Sequence, residues 1–148
     1  MKMGINKLSL SKRTEILAML CEGSSMRSIS RVADVSVNTV SKLLVHAGEA
    51  CIAIHNENVQ DTKASHVQCV EIWSFSYAKK KNVKTAKEAP EGAGDVWTWT
   101  AIDADTKLIV SYLVGGRDSE YAMEFMDDLP SRLSNRVQLT TDGHTAYL

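Results

Sequence analysis

With 148 residues, 44% of them apolar and 24% charged, the chain has the composition of a globular protein and room for a small domain plus part of another. Its net charge of −1 does not by itself suggest nucleic acid: seven basic residues face five acidic ones up to Glu57, and ten face thirteen from Asn58 onward. Three widely spaced cysteines without a CxxC pair argue against a zinc finger or a disulfide framework, and no apolar run reaches the ~20 residues of a membrane helix or resembles a signal-peptide core. The expectation is a cytoplasmic protein with reduced, buried thiols and no membrane partner. The acidic surplus of the second part suits either a site that gathers carboxylates or a plain solvated surface.

Ser11 is placed to cap a first helix in which Ile16, Leu17 and Leu20 follow helical spacing, and Gly23 to stop it. Ser25 caps a second, short helix predicted to turn Met26, Ile29, Val32 and Ala33 inward. Asp34 and Val35 make a tight turn. Ser36 then caps a third helix with Val37, Val40, Leu43, Leu44 and Ala47 on its apolar stripe. Two short helices joined this way form the pattern of a helix-turn-helix, although its turn carries no glycine.

A recognition helix buries one face and offers small polar or basic side chains near its N-terminus to base edges and phosphates. Asn38, Thr39 and Lys42 lie opposite the apolar stripe. Asn pairs with adenine, Thr reaches several edges, and Lys supplies phosphate charge. Arg27 and Arg31, four apart on the second helix, are placed over the DNA backbone. A three-helix bundle whose polar face merely meets water fits the same pattern; the agreement of periodicity, caps and turn length favours DNA binding. Gly48 marks an end or a weak point of the third helix, with residues 49–55 as a continuation. The polar, aperiodic stretch that follows reads as a linker, giving a helix-turn-helix domain over 1–57, a linker over 58–66 and a second domain over 67–148.

In that second domain Val67 to Tyr77 is rich in β-formers and reads as a strand. Asp95 to Ile102 is a second strand, Asp103 to Lys107 a hairpin turn, and Leu108 to Val114 a third strand ended by Gly115-Gly116. Asp118 or Ser119 caps a helix with Tyr121, Ala122, Phe125, Met126 and Leu129 at core spacing. Pro130 would cost that helix ~3 kcal/mol unless it ends near Leu129. Val137 to Thr141 is a short strand expected to be buried, ending in Asp142-Gly143. The order β-β-β-α-β fits an antiparallel meander followed by a helical crossover.

Cys69-Val70-Glu71-Ile72-Trp73 resembles the first-strand motif Cys-Asp-Glu-Ile-Trp of insertion-sequence-one-type transposases. Asp95-Val96-Trp97-Thr98-Trp99 through Lys107 is similar to their strand-turn-strand block, and Leu139-Thr140-Thr141-Asp142-Gly143-His144 to their fourth-strand motif. With the helix-turn-helix, the likeness covers nearly the whole chain. It implies a mixed α+β or α/β chain, an all-α helix-turn-helix followed by an incomplete RNase H-like domain, in a bacterial cytoplasm. It also implies DNA transposition: metal-dependent phosphodiester cleavage and strand transfer by three acids holding two Mg²⁺ ions. The partner would be double-stranded DNA, the element's terminal repeats, bound by a homo-oligomer.

The acids depart from that family. Asp142 matches the second catalytic and metal-binding position, but the first is Val70, and the chain ends at Leu148 before a third. Glu71 should face away from Val70, because successive strand side chains point to opposite faces. Asp103 and Asp105 read as turn formers, and His144 as a surface residue beside Asp142. Lys79, Lys80, Lys81, Lys84 and Lys87 crowd the loop after the first strand, either as a solvated loop or as a grip on DNA phosphates. Trp73, Trp97 and Trp99 are expected in the core rather than as stacking platforms. One sheet face is expected to be uncovered, favouring association. Three functions stay open: a transposition protein with impaired chemistry, a non-catalytic helix-turn-helix repressor of the element, and an inert remnant.

Overall fold

The structure, a computed structural model, describes residues 8–85 and 87–143, in two compact units over 1–58 and 59–148. Among its described residues the first unit has three helices: α1 (Leu10–Cys21), α2 (Met26–Val32) and α3 (Val37–Asn58). Ser9, rather than the expected Ser11, caps α1: its backbone is extended and its hydroxyl accepts from the Lys12 N–H at 3.2 Å. Gly23, at φ 76°, closes α1 with the Ser24 N–H reaching back to the Met19 carbonyl at 3.0 Å. The Ser25 hydroxyl accepts from the Ser28 N–H at 3.2 Å, and the Ser36 hydroxyl from the Thr39 N–H at 3.1 Å. The turn between α2 and α3 does without glycine because Asp34 takes the left-handed conformation, φ 52°, which Asp tolerates better than most residues.

Ile16, Ile29, Ala33, Val40 and Leu43 form this unit's core. Five of the residues expected on inward stripes behave differently. Met26, Val32, Val37 and Leu44 are exposed, and Ala47 is only half-buried, because α1 and α2, 12 and 7 residues long, cover a narrower stripe than the sequence offers. Gly48 does not end α3, which runs for 22 residues in all, to Asn58. At 1.5 Å per residue that is a rod of ~33 Å.

Among its described residues the second unit has four strands: β1 (His66–Ser76), β2 (Gly94–Asp103), β3 (Ile109–Gly115) and β4 (Gln138–Thr141). Two helices accompany them, the single turn α4 (Lys80–Val83) and α5 (Ser119–Ser131). The sheet order is β3-β2-β1-β4, with β1–β2 and β2–β3 antiparallel and β4 parallel to β1. Val67, Cys69, Trp99, Ala101 and Val110 meet Ala122, Phe125 and Leu129 of α5 in one core. Trp99 and Phe125 lie with ring centres 5.9 Å apart. The Asp118 carboxylate caps α5 by accepting from the N–H groups of Glu120 and Tyr121. Pro130 stays inside α5, one residue from its end, where it removes a single bond from the last turn.

Two differences from the expected layout follow from packing. Residues 59–65 do not hang free. Val59 and Ala64 are buried in the second unit's core, and Thr62 exchanges backbone bonds with Arg132 and Ser134. β4 is exposed over Gln138 to Thr140 rather than buried, because it lies at the sheet edge with β1 as its one partner.

Candidate nucleic-acid interface

Within the first unit, α3 presents its opening turn to solvent. Asn38 and Lys42 are exposed, as are Arg27 and Arg31 on α2. Thr39 is half-buried, with its hydroxyl 2.8 Å from that of Ser36, so it helps cap α3. Val37, assigned from the sequence to the apolar stripe, is 38% exposed beside Asn38. An exposed methyl pair there suits a thymine methyl in a major groove; helical periodicity alone had hidden it.

In the second unit Asp142 and Val70 each follow the last pair of the parallel β1–β4 register by one residue. That last pair is Cys69 with Thr141, and Asp142 is exposed just past the end of β4. Val70 is 39% exposed and offers only methyl groups. Glu71 points to the other face, as alternation requires. Its side chain is wholly buried, one oxygen accepting from Arg117 Nη2 at 3.1 Å and the other without a partner. Arg117 also stacks 4.5 Å over the Trp97 ring, a clamp between β1 and the start of α5 that the sequence did not announce. Burial, with the Glu71 charge adding to it, pushes the Cys69 thiol up to about 12. Cys21 and Cys51, by contrast, are exposed rather than buried.

Asp103 is a turn former. The Thr106 hydroxyl and the N–H groups of Asp105 and Thr106 donate to its carboxylate, and the Thr106 hydroxyl foremost holds it below the usual carboxylate range. Among the described residues no three His, Cys, Asp or Glu side chains gather into a metal-binding group. His144 lies outside the described residues.

Lys79, Lys80, Lys81, Lys84 and Lys87 are found around α4, where the Lys80 N–H donates to Asp95 at 2.9 Å. Trp73 leaves the core expected for it: it is 40% exposed, with Lys79 Nζ 5.0 Å from its ring centre. Trp99 is fully buried and Trp97 half-buried.

Residues 5–46 match the family model of a helix-turn-helix domain. Such a domain is found in transposases and supports DNA binding by the first unit. No curated protein matches the chain significantly. No helix among the described residues is long and apolar enough to cross a membrane.

Proposed function

We propose that the chain is a DNA-binding protein of transposase descent, which occupies the ends of an insertion element without cutting them. The observation that carries this is the pair Asn38 and Lys42, exposed on the opening turn of α3, held on a capped helix-turn-helix that also exposes Arg27 and Arg31. Lys42 and the two arginines hold phosphates; Asn38, with Thr39 and Val37, reads base edges. The sheet order β3-β2-β1-β4 supports an RNase H-like second unit, with Asp142 as the counterpart of the family's second acid. Lys79, Lys80 and Lys81 of that unit add charge for the DNA backbone.

The donor set at Asp142 does not fit a pair of Mg²⁺ ions. Two such ions need bridging carboxylate oxygens. Val70 supplies none, and the Glu71 carboxylate is turned to the opposite face and held by Arg117. That favours a repressor-like role for this stretch over catalysis of transposition.

Duplex binding by the full chain, followed by anisotropy across a salt series, tests the proposal. Lys42→Ala and Arg31→Ala should each weaken binding to all sequences and lower the salt slope by about one. Asn38→Ala should relax preference at one base pair, a loss of roughly 1–3 kcal/mol of discrimination. Full affinity in both charge variants would overturn the assignment of the face. Nicking of terminal-repeat DNA with Mg²⁺, abolished by Asp142→Ala, would overturn the absence of chemistry.

A further inference from the structure

β1 and β2 outrun the rest of their sheet. β4 pairs with β1 only over His66–Cys69, and β3 with β2 only over Trp97–Ile102. Residues 74–76 and 94–96 therefore form a two-stranded overhang. The face that is buried at Val67, Cys69 and Glu71 continues, by strand alternation, through Trp73 at the base of the overhang, where Trp97 still pairs with Gly115, to Phe75 within it. Both are exposed, 40% and 48%, with ring centres 5.7 Å apart. Tyr77 follows, 59% exposed, where the chain leaves the strand at φ 64°. Lys79 lies over Trp73, and Lys80 and Lys81 open α4 next to it. From Trp73 to Thr85 there are four lysines and no acidic residue; across the strand pair, Asp95 of β2 accepts from the Lys80 N–H at 2.9 Å.

We infer that this overhang binds an unpaired stretch of DNA, its bases stacking on Trp73 and Phe75 and its phosphates meeting Lys79 to Lys81. Exposed aromatics flanked by cations match the two surfaces of a single strand, π faces and backbone charge. A duplex offers only the charge, since its bases are already stacked on one another. A protein partner would be drawn to the rings, but four lysines against the one carboxylate in contact with them, that of Asp95, favour a polyanion. The inference rests on the second unit meeting nucleic acid and is independent of the helix-turn-helix.

The full chain is titrated with a thymidine homopolymer and, in parallel, with duplex DNA, reading anisotropy and tryptophan fluorescence. The homopolymer should quench the fluorescence of Trp73. In Trp73→Phe the quench should vanish while affinity is largely kept; Trp73→Ala and Phe75→Ala should each lose about tenfold in single-strand affinity. Lys79→Ala should reduce the single-strand salt slope by about 0.7. Lys42→Ala should weaken duplex binding alone, so that failure of the first unit's role and failure of this site are told apart. Undiminished homopolymer affinity in Phe75→Ala, or full quenching in Trp73→Phe, overturns the inference. So does equal competition by duplex DNA, which would reduce the patch to a cationic surface.

Discussion

The junction between β3 and α5 gives a sharp test of the second unit's packing. A Cβ added at Gly115 would sit 1.9 Å from Cε1, 2.4 Å from Cδ1 and 2.7 Å from Cζ of Tyr121. These are ring atoms, so the whole ring has to leave its place against the core. Gly115→Ala is therefore expected to cost about 1–3 kcal/mol, the range for overpacking a formed contact. For a unit of this size each kcal/mol lowers the thermal midpoint by roughly 4–8 °C. The cause is isolated by a double-mutant cycle. Tyr121→Ala removes the obstacle, so alanine at 115 should then cost close to nothing, and the coupling should equal most of the single-mutant loss. Urea denaturation of the four proteins at unchanged m-value reads each corner. If the two substitutions add to within ~0.5 kcal/mol, the ring does not fill that space and the packing described here is wrong.

Other expectations are simpler. Phe125→Ala, at a fully buried ring against Trp99, should cost the second unit about 3–5 kcal/mol by denaturant titration. Ser36→Ala removes the α3 cap and should cost the first unit ~1 kcal/mol without altering the second unit's melt. The Asp103 carboxyl titrates below its ordinary value of 3.8 in the folded state. Its contribution to stability is full above that value and is lost as the pH falls through the lowered one; Asp103→Asn should flatten this acid limb in a pH series of melts. Iodoacetamide at mildly alkaline pH should modify Cys21 and Cys51 in the folded chain and Cys69 only on unfolding, because the Cys69 thiol is buried and stays protonated. Mass mapping of the alkylated peptides decides this, and early labelling of Cys69 would show that its strand opens.

Much of the fold was legible because it depends on short-range rules. Ile16, Ile29, Val40 and Leu43 stand at helical spacing behind serine caps, and the strands alternate in period two around turn residues. Residues whose place depends on the extent of a neighbour were not legible. Leu44 and Met26 look like core until the helices α1 and α2 prove too short to cover them. Trp73 has the composition of a core residue but stands at the base of an overhang, which only the lengths of β3 and β4 disclose. Val59, Ala64 and Thr62 sit in polar sequence with no periodicity, and their partners, such as Arg132, lie far along the chain. The Glu71–Arg117 pair spans 46 residues and has no local signature. At the candidate site the alternation of Val70 and Glu71 was enough to set them on opposite faces. What holds Glu71 there was invisible.

The tether of residues 59–65 to the end of α5 also decides where the chain can be divided. A fragment started at His66, where the first strand begins, would discard two members of a ten-residue core and strip the backbone bonds that Thr62 gives and receives. Starting it at Val59 keeps that seam closed. The natural place to part the two halves is the last turn of the long helix, several residues before the polar stretch gives out.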